Sequence, residues 1–250
     1  MLEPSAAGAA NAPDGHPARR KRVAIVQSNY IPWKGYFDII RAVDEFVFLD
    51  DAQFTRRDWR NRNRIKTLNG TIWLSIPVRS KGRYEQAIDE TEIAESWADR
   101  HWETLRMSYA RAPCFRAFES RIRALYEHAA AETMLSQVNS LLIRGVCDIL
   151  GIATRIARSR DYPVQGAKTD RLLSILQAAG ATHYLSGPAA KVYMELDKFA
   201  AAGIEVRFAD YTGYPEYPQL HGAFEHGVSI FDLLFHTGAD AIHYMKALAA

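Results

Sequence analysis

The stretch RVAIVQSNYIPWKGYFDIIRAVDEFVFLDDAQF, Arg22 to Phe54, decides the fold. Its first six residues, RVAIVQ, form a short apolar, β-branched run that reads as a buried strand. Pro32 and Gly35 punctuate the loop SNYIPWKG that follows. YFDIIRAVD then fits an amphipathic helix, with Tyr36, Phe37, Ile39, Ile40 and Val43 on one broad face. EFVFLD is a second buried strand. Two buried strands joined by a helix favour parallel pairing with a right-handed crossover.

Outward from this unit, TIWLSIPV reads as a third strand, in which Ile72, Leu74 and Ile76 alternate, and QAIDETEIA as a short extended piece. From about 96 to 150 the pattern turns helical. SWADRHWETLRMSYARAP ends at Pro113, CFRAFESRIRALYEHAA follows, and TMLSQVNSLLIRGVCDILG is closed by Gly151. The β/α alternation then returns. TRIARS, THYLSG and IEVRFADY read as strands. TDRLLSILQAAG reads as a helix with Thr169 or Asp170 near its N-cap and Gly180 at its end. AKVYMELDKFAAAG reads as a helix ended by Gly203, and SIFDLLFHTG as a serine-capped helix ended by Gly238. The fold class is α/β: a Rossmann-like, mainly parallel sheet with an inserted helical block. Residues 1–20 are expected to be a disordered tail and 21–250 a single domain.

Composition narrows the function. The chain has 250 residues, 48% of them hydrophobic and 24% charged, as soluble globular proteins do. A net charge of +2 gives no general attraction to nucleic acid or membrane, so any basic site must be local. No apolar run reaches about 18 residues, so no membrane span is expected. Cys114 and Cys147 lack CxxC partners and zinc-type histidine spacing, and read as free thiols in a reducing cytoplasm. No GxSxG, HExxH, Walker A or GxGxxG pattern occurs.

In open α/β sheets ligands bind beyond the C-terminal strand ends. That rule gathers Gln27, Tyr30, Trp33, Lys34, Asp50, Asp51 and Gln53 at one edge. Asp50 and Asp51 are suited to acid/base work, to binding substrate hydroxyls or to holding Mg²⁺, although a turn cap and an arginine pair would explain them equally. On an extended segment they point to opposite sides, so one of them at most faces a ligand. WRNRNRIKT, Trp59 to Thr67, alternates in the same way. If extended, Arg60, Arg62, Arg64 and Lys66 share one face, and Asn61, Asn63 and Ile65 the other. Arginine forks suit phosphate and carboxylate. The Ser186-Gly187 turn, aided by Lys191, offers backbone donors to an anion. The long aromatic loop YTGYPEYPQLHGAFEHG, 211–227, carries Tyr217, Gln219, His221 and His226. These two histidines are better placed for proton transfer than those in helices and strands.

Taken in order, YIPWKGYF, DEFVFLDDAQF, WRNRNRIK, YARAPCF, KTDRL, YLSGPAAKVY, YPEYPQ and SIFDLLFHTG resemble the WbqC-like family over most of the chain, from about Val23 to Gly238. Ser28 stands where that family usually has proline. Gln27, Tyr30, Asp50, Gln53, Trp59, Arg60, Asn61, Arg62, Asn63, Ser186, Gly187, Lys191, Tyr217 and Gln219 fall on motif positions. The resemblance implies a bacterial protein of O-antigen or related polysaccharide biosynthesis. The sequence itself requires no cofactor, with Mg²⁺ at Asp50 and Asp51 as an option. A second similarity, to nucleotidyltransferase and pantothenate-synthetase folds, sets Trp33 to Tyr36 where those carry a histidine-containing ATP motif; here both histidines are missing.

The expected activity is acyl- or aminoacyl transfer to a nucleotide- or carrier-linked amino sugar. Arg60, Arg62 and Lys66 would hold phosphates, with a carrier-protein thioester as one donor. Asp50 or Asp51 would be the base. Tyr30, Trp33 and Tyr217 would form walls, and Asn61, Asn63 or the Ser186-Gly187 turn would supply oxyanion donors. The rivals are an ATP-dependent ligase or nucleotidyltransferase and a non-catalytic sugar-nucleotide-binding module. The cleft is expected to be walled by the helical block and by residues 211–227.

Overall fold

A computed structural model describes residues 20–248. The expected tail therefore lies outside the described residues, apart from Arg20. The central sheet has five parallel strands: β1 (Arg22–Val26), β2 (Glu45–Phe48), β5 (Arg155–Arg158), β6 (His183–Ser186) and β7 (Glu205–Phe208). Their spatial order is β5-β2-β1-β6-β7. The order reverses between β1 and β6, as at the switch point of a Rossmann sheet. The α/β fold is therefore as expected.

Period-two alternation splits the core into two layers. Ala24, Phe46 and Phe48 face one cluster, built with α1 (Lys34–Ala42), α2 (Ala98–Tyr109), α3 (Phe115–Ala129), α4 (Leu135–Leu150) and α7 (Ile230–Thr237). Val23, Ile25, Val47 and Ala157 face the other, with α5 (Lys168–Ala178) and α6 (Leu196–Ala201). Burial of both faces explains why the strands read as unbroken apolar runs. α4 ends at Gly151 in a left-handed conformation, and Ser229 caps α7 by accepting from the Phe231 N–H.

Several local expectations are corrected. TIWLSIPV supplies β4 (Gly70–Ser75), which pairs antiparallel with β3 (Arg62–Thr67) in a separate hairpin outside the main sheet. Residues 86–94 make a 3₁₀ turn, Ile88–Glu90, and isolated bridges. α5 is capped by Ala167 without a side-chain bond, so Thr169 and Asp170 sit inside its first turn. The helix expected after Gly187 divides into a 3₁₀ turn, Pro188–Val192, and the short α6. Val192, Tyr193 and Leu196 are exposed there, so a longer helix would have no apolar surface to rest on. Among the described residues, no helix is long and apolar enough to cross a membrane.

The hairpin is lashed to the loop after β1. Ile65 and Leu74 enter the core, while Asn63, 2% exposed, donates from Nδ2 to the carbonyls of Tyr30 at 3.1 Å and Ile31 at 2.9 Å. An unmade buried hydrogen bond costs about 1–3 kcal/mol. Asn63→Ala should therefore destabilise by about that amount, and Asn63→Asp, which keeps the acceptor but loses both donors, by at least as much. A lowered urea midpoint at unchanged m is the expected result, and an unchanged midpoint would deny the tether.

Candidate functional site

The loop Ser28–Trp33 leaves the C-terminal end of β1 and turns over the sheet edge. With Trp59 from the turn before β3, Asn63 and Arg64 from the hairpin, and Tyr211, His226 and Gly227 from the long loop, its residues Asn29, Pro32 and Trp33 enclose a cavity of about 380 Å³. Trp33 meets Tyr211 edge-on at 5.0 Å between ring centroids. Trp59 is 40% exposed at the mouth and packs on Trp73 at 5.2 Å.

Two glycines make this closure possible. A Cβ on Gly35 would lie 2.3 Å from the Trp33 indole, which folds over the first turn of α1. A Cβ on Gly227 would lie 2.4 Å from the Arg64 guanidinium, whose Nε donates to the Gly227 carbonyl at 3.1 Å. Arg64 also pairs with Glu225 at 3.3 Å. The His226 imidazole is pushed below its usual range by burial and by the nearby Lys34 cation, so it is neutral near pH 7.

Beneath the cavity floor lies a buried polar web. The Ser28 N–H donates to Asp50 Oδ1 at 2.8 Å. Asn139 of α4 donates to Ser28 Oγ at 3.1 Å and to the Arg60 carbonyl at 2.9 Å, while the Arg60 guanidinium donates to Asn29 Oδ1. Burial pushes the Asp50 carboxyl up to about 6; the Ser28 hydrogen bonds oppose the rise and Asp89 adds to it. Asp51, in the same turn after β2, has other partners and is held by Ser159 Oγ at 2.6 Å and by Arg171.

Lys34, the first residue of α1, is 3% exposed. Its ammonium donates to the Pro215 carbonyl at 2.7 Å and lies over the rings of Tyr214, Tyr217 and Phe224 at 5.0, 5.1 and 5.9 Å. Burial lowers its pKa to about 8 against the pull of Asp38 and Asp232. The cage stands on buried carboxylates. Tyr214 donates to Asp38, and Tyr109, Tyr217 and Gln219 donate to Asp232.

Of the residues expected to form the site, Trp33, Trp59 and Asn63 line the cavity. Tyr30 does not. It is fully buried, with its hydroxyl on His101 Nδ1 at 2.7 Å and on Tyr126. Tyr217 is likewise a buried cage wall. The Gln27 carbonyl accepts from Tyr36, and exposed Gln53 donates to the Tyr84 carbonyl. Of WRNRNRIKT only Arg62–Thr67 is extended, Trp59, Arg60 and Asn61 lying in the turn before it, and the cations are engaged within the protein. Arg62 stacks on Trp73 at 4.1 Å and donates to the Arg57 carbonyl; Lys66 donates to Gln219 at 2.7 Å and to the Ala223 carbonyl. Asn61 donates to the Ile76 carbonyl and lines a separate groove.

Ser186 is buried, and the Ser186-Gly187 turn and exposed Lys191 contribute nothing to the cavity lining. His221 lines another hollow, near the β3–β4 turn, apart from Asp50 and Trp33. The helical block adds no lining residue; it acts from below, through Asn139. Among the described residues, no group of three or more His, Cys, Asp or Glu is arranged to hold a metal ion. Tyr211, His226 and Gly227 belong to the loop 211–227 expected as a wall, whereas Asn29 was not singled out in the sequence. Only the placement of Asn29 after a strand end hinted at its role.

Residues 27–244 match the WbqC-like protein family. A Mycobacterium tuberculosis protein (strain ATCC 25618 / H37Rv), named uncharacterized protein Rv1507c, is 48% identical over 227 residues, covering 90% of this chain and 98% of its own length. No solved structure matches significantly.

The Asp50 shift has a definite sign. A carboxyl whose folded pKa lies near 6 holds its proton after the unfolded chain, at about 3.9, has lost it. Stability should therefore fall as pH rises from about 4 to 6. Asp50→Asn keeps an acceptor for Ser28 and should flatten that limb, as read by urea midpoints across the range. An unchanged slope would show that another group titrates there.

Proposed function

The chain belongs to the WbqC-like protein family, and we propose that it is a transferase of surface-glycan synthesis that moves an acyl or aminoacyl group onto the amine of a carrier-linked sugar. One observation carries this reading: the 380 Å³ cavity at the sheet edge, walled by Trp33, Trp59 and Tyr211. Aromatic faces cover the C–H face of a sugar ring, and the polar groups beside them fix its hydroxyls. Asn29 spends its Oδ1 on Arg60, which leaves its amide N–H groups for the ligand. Asn63 spends both ends on the backbone and serves as a wall.

In this reading His226 replaces Asp50 as the base. Asp50 is turned toward Ser28 beneath the floor, whereas His226 lines the cavity and is neutral at pH 7. The sugar amine attacks the carbonyl carbon of a thioester donor. The new C–N bond forms, the C–S bond breaks, the amine proton passes to His226, and the leaving thiolate recovers it. Arg64, at the cavity wall, neutralises the transient oxyanion. Asp50 acts indirectly, by fixing Ser28 and so Asn29.

The ATP-dependent alternative draws less support. Its phosphates would need the N-terminus of α1, which receives anions in Rossmann-like folds. Here Trp33 covers that turn, and caged Lys34 occupies it.

The test is a mass-spectrometric assay of amine acylation, using UDP-linked amino sugars and acyl thioesters, with thermal shift as the binding readout. His226→Gln should lower kcat by about 10²–10⁴-fold while keeping the sugar-induced shift. Trp33→Ala should lose the shift itself. Full turnover in His226→Gln would end its role as base, and an undiminished shift in Trp33→Ala would move the sugar elsewhere.

A further inference from the structure

Beside the cavity, the turn after Phe54 and the segment after β4 enclose a wider groove of about 920 Å³. Its charged lining is all cationic: Arg56, Arg57, Arg79, Lys81 and Arg83. The whole chain carries a net charge of only +2, so this is a local concentration. It is also weakly neutralised. Arg79 and Arg83 share one carboxylate, Glu92, at 3.4 and 3.2 Å. Arg56 is bound to the neutral Ser80 carbonyl and lies 5.4 Å over the Tyr84 ring. Among the described residues, Arg57 and Lys81 enter no ion pair.

Two further observations describe a shaped site. Arg57 is held at φ +58°, in the left-handed region that side chains rarely adopt, with its carbonyl tied down by the Arg62 guanidinium. Asn61, also in the lining, donates from Nδ2 to the Ile76 carbonyl at 2.8 Å, while its Oδ1 is buried with no hydrogen-bond partner among the described residues. The groove thus offers cations for an anion, on a backbone fixed by Arg62 and Asn61.

We infer that this groove binds the diphosphate of a diphosphate-linked sugar, an inference that rests on the transferase reading and names the carrier class of its substrate. Residues 56–64 line both hollows. Arg56, Arg57 and Asn61 serve the groove, and Trp59, Asn63 and Arg64 the cavity. One continuous segment, the turn before β3 and the start of the strand, therefore presents a sugar wall and a phosphate wall. The phosphate role moves from Arg60, Arg62 and Lys66, which hold the protein together, to the cations around them.

The test is calorimetric titration of the full chain with inorganic pyrophosphate, UDP and UMP at low and raised salt. Pyrophosphate and UDP should bind more tightly than UMP, and raised salt should weaken them. Charge-assisted hydrogen bonds to phosphate are strong enough that Arg57→Gln/Lys81→Gln should weaken pyrophosphate by at least about tenfold. Both residues are exposed, so the variant should melt with the wild type. If it melts early, Lys81→Gln alone, with its smaller loss, decides. Absence of pyrophosphate binding at millimolar concentration, unchanged binding in a folded variant, or single-stranded RNA outcompeting UDP would overturn the proposal. Pyrophosphate contains neither sugar nor acyl group, so the two readings fail separately. Diphosphate binding without acylation removes the transferase reading alone; acylation without diphosphate binding removes the groove alone.

Discussion

The site depends on the hold that Asn63 has on Ile31. Ile31 is β-branched, buried and followed by proline, yet its φ is +36°. Such a conformation costs about 1–3 kcal/mol and persists only where its surroundings enforce it. The enforcement is visible. Asn63 bonds the carbonyls on either side of the Ile31 Cα, at Tyr30 and Ile31. The Tyr30 N–H donates to the Trp59 carbonyl at 3.0 Å, and the Pro32 carbonyl accepts from the Ile230 N–H at 2.9 Å. Released from these bonds, the loop would relax toward ordinary φ, and Asn29 and Trp33 would leave the cavity together.

The same constraint explains why a nearly neutral chain concentrates cations in WRNRNRIKT. A hairpin that docks on a sheet edge without joining the sheet must satisfy its polar groups with side chains. Arg60 meets Asn29, Arg62 meets Trp73 and the Arg57 carbonyl, Arg64 meets Gly227 and Glu225, and Lys66 meets Gln219. Removing one partner of a buried charge is more damaging than the pair is stabilising. The chemistry of the segment is that of a scaffold, and its ligand-facing atoms are the smaller remainder.

This division also marks what was legible in the sequence. The strand–helix–strand unit, the helical block and the extended character of Arg62–Thr67 followed from periodicity, because burial on one or two faces imposes the period directly. Asp50 and Asp51 do take separate partners, but in a turn after β2 and not on the extended segment expected. Partner identity did not follow. Lys66 finds Gln219 across 153 positions and Tyr30 finds Tyr126 across 96, and no local spacing encodes such pairs. Tyr30 and Tyr217 looked like cavity walls because tyrosine suits both a ligand and a core. Their hydroxyls are taken up by His101 and Asp232, which decides for the core. His221 and His226 are only five positions apart, but the loop turns between them and sends them to different hollows.

The fold also withholds the usual place for a phosphate. A Rossmann-like sheet ordinarily gives an anion the N-terminus of the helix after its first strand, where free N–H groups and the helix dipole favour negative charge. This chain closes that position from within. Lys34, a cation at the positive end of α1, is tolerated because three aromatic faces and the Pro215 carbonyl surround it and Asp38 and Asp232 lie near. Trp33 then lies over Gly35, where any larger residue would collide with it. The closure turns the indole toward Tyr211 and makes it a cavity wall instead of the edge of a phosphate loop. A substrate that carries phosphate must then find its counter-charge off the sheet edge, and the neighbouring groove supplies it, with Arg56 and Arg57 on the turn that bears Trp59 and Arg79, Lys81 and Arg83 on the segment after β4.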